Sequence, residues 1–238
     1  MKRVAALAVQ DARNIIKDPI LVIAICFPFI LGLTARFVLP VIHSWVLGTF
    51  QFDLSNHYPF IISLLLLMTP LWMGVLMGFI LLDEKDEGVD LYFAVTPLTK
   101  SGYFMFRVFS PAVLTFFLSY IVIMLQGLVP WHVINFFPIA VMLALEAPLL
   151  SLIMVTVASN KVEGLAISKV LTLMFFTPVP PYIFHNSWTM LFGIVPFYWP
   201  AIIFMEDSNR VALLYAIGLL VHIIWLNIVM KKYLTRVS

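Results

Sequence analysis

Six apolar runs take up most of this chain of 238 residues, at 19–41, 59–82, 104–126, 134–157, 164–177 and 211–230. A helix needs about 20 apolar residues to cross the hydrocarbon core of a bilayer. Only the fifth run falls short of that, and it can extend into the prolines that follow it. Hydrophobic residues make up 63% of the chain and charged residues 11%, against roughly 45–50% and about 25% in soluble domains. So few charges cannot cover a water-facing surface at this length, which excludes a soluble enzyme. The lone cysteine, Cys26, excludes a disulfide framework, a cysteine zinc site and a CxxC redox pair. A net charge of +2 gives no reason to expect nucleic acid. The expected fold is an all-α polytopic membrane protein with six transmembrane helices, in a single domain over 1–238.

Charge placement predicts the orientation. Twelve of the fourteen Lys and Arg fall on one side of these runs, leaving Arg36 and Arg210 for the other. By the positive-inside rule both termini are then cytoplasmic. At the N-terminus, 4–9 is too short an apolar stretch for a signal peptide. Val4, Leu7, Ala8, Ala12, Ile15 and Ile16 instead recur at helical spacing opposite Arg3, Gln10, Arg13, Asn14 and Lys17. That pattern predicts an amphipathic interfacial helix over 1–18, the alternative being a plain charged flank. Arg36 leaves the first span open: it either continues, or stops near Thr34 with 37–47 lying along the outer interface.

The stretch 164–204 is long enough for two helices, yet two crossings would put Lys231, Lys232 and Arg236 outside. Its second part is therefore expected to dip in and return as an outer re-entrant segment over 178–205. Pro178, Pro180, Pro181, Pro196 and Pro200 break it, and broken backbone is tolerated at membrane depth only where protein or a cavity surrounds it. Pro178, Pro181, Pro196 and Pro200 are the candidate outer gate.

Five of the twelve acidic residues crowd into 83–90, between the second and third runs on the cytoplasmic side. After them Val89, Tyr92 and Phe93 stand at i, i+3 and i+4, a short amphipathic helix that Thr96-Pro97 ends. Either it is a solvated loop along lipid headgroups, or it is a helix that docks a protein. Glu84-Lys85, Glu87-Gly88, Leu91 and Thr96-Pro97-Leu98-Thr99 resemble the E-K-x-x-G…L…T-P-L-[ST] stretch of type-2 ABC exporter permeases. The resemblance extends to the N-terminal helix, the six spans, the Asn160-Lys161-Val162-Glu163-Gly164 loop and the proline-rich piece before the sixth span. Residues 164–171, Pro178 and 194–200 are similar to small bacterial drug-export permeases, a fluoroquinolone-export group among them.

That resemblance implies a bacterial plasma-membrane permease and makes 83–100 a coupling segment. Its candidate ATPase-coupling residues are Glu84, Lys85, Glu87, Gly88, Leu91, Tyr92, Thr96 and Pro97. It implies as partners two copies of an ABC ATP-binding subunit and a second, identical or similar, permease. A phosphate-cradling loop needs G-x-x-x-x-G-K-[ST], and none of the ten glycines is placed for it. ATP and Mg are thus expected on the partner subunit, with no cofactor held by this chain. The cargo implied is a hydrophobic or amphipathic small molecule or peptide.

Glu146 is the single acidic residue inside a span. A charge at a helix centre costs about 2.5–3.5 kcal/mol on insertion scales, so such residues usually find a partner or line a pathway. Two readings stay open: a pathway residue, with Met142 and Phe176, or a packing residue near Asn227 or His222. Glu146 also motivates the alternative of an ion-coupled secondary transporter. His43, His57, His132 and His185 show no metal-ligand spacing, and no paired acids or Cys–His pair suggest an intramembrane enzyme. Gly74 and Gly78 form a GxxxG that permits close helix approach, either within the chain or between copies.

Overall fold

The computed structural model describes residues 19–88, 100–184, 186–206 and 210–237. The expected N-terminal helix over 1–18 and the coupling residues Leu91, Tyr92, Thr96 and Pro97 lie outside the described residues. Among the described residues all regular structure is helical, and six stretches are long and apolar enough to cross a membrane.

Helix α1 spans Pro19–Phe50. It runs straight past Arg36, so the reading in which the first span ends near Thr34 does not hold. Neither Pro28 nor Pro40 ends it, as membrane helices tolerate proline when neighbours re-satisfy the backbone. Arg36 turns toward the loop after α3, where a Cβ on Gly127 would stand 3.7 Å from its Nε. Gly127 has φ +61°, a backbone only glycine adopts without strain.

A 3₁₀ turn over Leu54–His57 leads into α2, Tyr58–Asp86. Asp53 caps that turn, its Oδ1 accepting from the Ser55 hydroxyl at 2.6 Å and the Ser55 N–H at 2.9 Å. Those bonds hold the Asp53 carboxyl below the usual carboxylate range. Helix α3 follows at Lys100–Gln126 and α4 at Val133–Val157.

Helix α4 is apolar around its whole circumference, the pattern of a helix with neighbours on every side. It packs against α2, α3, the last helix and the short helix before it, and most of its residues are buried. Small residues on α2 allow the contact. A Cβ on Gly74 would lie 2.6 Å from the Ala147 carbonyl oxygen, and one on Gly78 would meet Met154. The GxxxG is therefore spent inside the chain.

Helix α5, Lys161–Thr172, starts on a side-chain cap: Asn160 Oδ1 accepts from the Glu163 N–H at 3.0 Å, and Glu163 Oε2 accepts from the Ser159 N–H at 2.7 Å. These reciprocal bonds satisfy donors that a helix start leaves open. The chain continues through a 3₁₀ turn, Leu173–Phe176, into α6, Val179–Phe184. Together they make one largely exposed candidate span, Lys161–Phe184. Pro178, Pro180 and Pro181 thus fall at its far end. Proline costs little in the first turn of α6, where N–H groups have no partner to lose.

The rest of the segment expected to re-enter the membrane holds a 3₁₀ segment, Ser187–Ile194, and α7, Tyr198–Phe204. At about 1.5 Å per residue α7 is too short to cross a bilayer. It is nonetheless buried, against α2, α4 and α8, the last helix, Val211–Val237.

Replacing Gly74 by Leu should lower the stability of the detergent-purified protein by about 1–3 kcal/mol, the usual cost of overpacking. Its thermal unfolding midpoint checks this, with Gly48→Leu as control, since Gly48 has open space around it.

Candidate functional site

Three places on this frame bring polar side chains together, one at each end of the bundle and one at its centre.

At the first end, α2, α3 and α5 meet. Glu84 in the last turn of α2 takes Arg107 of α3 at 2.6 Å, with both side chains less than a fifth exposed. Asp83 takes Lys161 at the start of α5, at 2.7 Å and in more open surroundings. Close packing accompanies the ion pairs, because a Cβ on Gly164 would come within 2.6 Å of Leu82. Lys85, Asp86 and Glu87 point outward and are exposed. Gly88 then turns the chain with φ +68°, its N–H donating to the Lys85 carbonyl at 3.2 Å. Of the coupling residues expected here, Glu84 is engaged within the chain, whereas Lys85 and Glu87 are presented. Nothing in the linear spacing pairs 84 with 107 or 83 with 161.

At the opposite end Tyr182 of α6 reaches the start of α2. Its hydroxyl shares a hydrogen bond with His57 Nδ1, and its ring lies flat on Phe60, with centroids 3.8 Å apart and planes 3° apart. Phe52 stacks on the other side of this group against His57. Tyr182 is thereby a clasp between the fifth span and the second. Of the expected gate prolines, Pro178, Pro196 and Pro200 are buried and Pro181 is partly covered.

At the centre, Glu146 and His222 lie between α4 and α8, both fully buried, with Oε1 and Nε2 3.4 Å apart. His222 Nδ1 donates to the Gly218 carbonyl at 2.7 Å. Asn227 donates instead to Ile223 of its own helix, so of the two partners the sequence offered, the histidine is the one used. Met142 is buried one turn along α4 against Gly218, but Phe176 is half exposed on the fifth span and stands apart from this layer. No group of three or more metal-ligating side chains occurs among the described residues.

Six helices long enough to span a membrane, one of them buried at the centre, with a charged, ion-paired end and a proline-rich end, define a polytopic α-helical membrane protein. The chain belongs to the Fluoroquinolones export permease protein Rv2686c-like family, whose model matches residues 11–230. Two similar proteins are the Fluoroquinolones export permease proteins MT2760 and Rv2686c of Mycobacterium tuberculosis, strains CDC 1551 / Oshkosh and ATCC 25618 / H37Rv. Each is 29% identical over 212 residues, covering 88% of this chain and 84% of the relative. No solved structure matches the chain. Membership makes it an export permease, a transport protein rather than an enzyme.

The two ion pairs should not weigh equally. Arg107→Ala should cost about 1.5–3 kcal/mol, since Glu84 is shielded and loses a charged hydrogen bond. Lys161→Ala should cost at most about 1 kcal/mol, as for exposed pairs. Thermal unfolding of the two purified variants checks the order, and equal costs would contradict it.

Proposed function

We propose that this chain is the membrane-spanning subunit of an ATP-driven exporter of the ABC type. Both termini and the segment 83–100 then face the cytoplasm, where the excess of Lys and Arg lies. Two permease copies, identical or closely similar, would dock two separate ATP-binding subunits that hold ATP and Mg. The cargo is a hydrophobic or amphipathic small molecule of the fluoroquinolone kind, the class named for the relatives.

One observation carries the coupling. The acidic end of α2 is fastened to α3 by Glu84–Arg107 and to α5 by Asp83–Lys161, while Lys85 and Glu87 stay free to meet a partner surface. A push on the segment beyond Gly88 therefore reaches three helices at once. Nucleotide can shift such an equilibrium only by binding one state better. Closure of the ATP-binding subunits supplies that difference, and the fastened helix ends transmit it.

The opposite end supplies the gate. Leu173–Phe176 is a 3₁₀ interruption inside the fifth span, followed by a turn at Thr177–Pro178, and mid-helix 3₁₀ stretches often act as hinges. The inner half of the span is held on α2 by Gly164 and Lys161, whereas the outer half is clasped by Tyr182. In this reading α6 swings about Pro178, with Pro181, Pro196 and Pro200 shaping the gate, and the clasp parts when cargo leaves.

Glu87→Lys and Gly88→Pro should each leave the bundle folded but lower co-purification of the ATP-binding subunit and transport together. Gly88→Pro acts by forbidding the positive φ and removing the N–H that bonds Lys85. Unchanged co-purification and transport in both would overturn the coupling assignment.

The clasp is tested separately. His57→Cys with Tyr182→Cys, in a Cys26→Ser background, should lose transport when joined by a short bifunctional methanethiosulfonate and regain it on reduction. Transport that survives the cross-link would show that the two spans move as one.

A further inference from the structure

Helix α8 presents one continuous stripe, Tyr215, Gly218, His222 and Trp225, at the i, i+3, i+7 and i+10 spacing of a single helix face. Each member makes a contact that orients the helix. The Tyr215 hydroxyl donates to the Asn135 carbonyl on α4 at 2.6 Å. Gly218 lets α4 and α7 close in, since a Cβ there would lie 2.8 Å from Met142 and 3.0 Å from Trp199. Trp225 Nε1 donates to the Ile194 carbonyl at 2.7 Å, so α8 carries the turn of the hairpin that 187–204 forms. Trp199 Nε1 closes that hairpin on itself by donating to the Gly193 carbonyl at 2.8 Å. Between Gly218 and Trp225 sits His222, whose sole side-chain partner across to α4 is Glu146.

The hydrogen-bond pattern narrows how this pair is occupied. A carbonyl oxygen only accepts, so His222 Nδ1 carries a hydrogen toward Gly218. A hydrogen between Nε2 and Glu146 Oε1 then comes either from a protonated carboxyl or from an imidazolium facing a carboxylate. Both forms hold one proton in the gap and have no net charge, the arrangement that costs least to bury. The bond is directional, unlike the apolar contacts around it, and it fixes both the rotation and the height of α8 on α4.

We propose that Glu146 and His222 are positioning residues: their shared proton sets the register of α8 on α4 and so seats the hairpin of 187–204 through Gly218 and Trp225. A glutamine at 146 would serve, because its amide N–H donates to Nε2 as the carboxyl does. Leucine would leave Nε2 buried without a partner. Replacing both residues by apolar ones removes the unpaired group but not the need for a directional restraint.

The test reads hairpin seating directly and does not depend on the ATP-driven reading. Thr189 of the hairpin is buried, so Thr189→Cys in a Cys26→Ser background, reconstituted in lipid nanodiscs, should react slowly with fluorescein maleimide. Adding Glu146→Gln should leave that rate near the parent value. Adding Glu146→Leu should raise the rate about tenfold, the effect of a buried polar group losing its partner. The double change Glu146→Leu with His222→Phe should recover folded yield yet keep Thr189→Cys reactive, which keeps the test decisive if Glu146→Leu alone does not fold. Two outcomes would overturn the proposal: a hairpin still shielded in the double variant, or a hairpin unseated by Glu146→Gln.

Discussion

Hydrocarbon offers no hydrogen bonds, so a helix surrounded by other helices must match every polar group it carries from within the protein. Helix α4 is in that position, and the rest of the bundle is arranged around it. Its apolar circumference accepts α2 through Gly74 and Gly78, and α8 through Gly218. Its one ionisable side chain, Glu146, meets His222. Without that match, α4 would carry an isolated buried acid, a far larger penalty than any single packing contact could offset. The placement of α8, and of the hairpin hung from it, follows from the same contact.

Packing elsewhere is graded. The fifth span is largely exposed, and its backbone is interrupted halfway by a 3₁₀ turn and a proline turn. It is held near its two ends, by Gly164 and Lys161 on one side and by Tyr182 on the other. An element with few buried contacts and an internal hinge belongs to the low-stability end of a structure, from which moving parts are drawn. In the proposed exporter the well-packed centre is the scaffold and the loosely held fifth span the part that moves.

Much of this frame was legible in the sequence because hydrophobic runs report length directly. The six spans and the all-helical fold follow from that alone. What a run cannot report is where a helix stops when no strong breaker is present. Arg36 looked like an end but reaches sideways to Gly127, and α1 continues to Phe50. Pro178, Pro180 and Pro181 looked like the start of the hairpin, yet the first turn of α6 absorbs two of them. Partnerships were the least legible. Glu84 with Arg107, Asp83 with Lys161 and His57 with Tyr182 join residues far apart in sequence that only the packing of helices brings together. Glu146 could be narrowed to two partners because its cost demanded one, and the structure selects between them.

In the proposed exporter the permease moves its cargo only when driven by ATP-binding subunits. The most direct measurement is fluoroquinolone uptake into inside-out proteoliposomes containing the chain with or without its ATP-binding subunit. Uptake is expected only when both proteins and Mg-ATP are present, and is lost on adding vanadate. Vanadate-insensitive uptake by the chain alone, driven by a pH gradient, would contradict it.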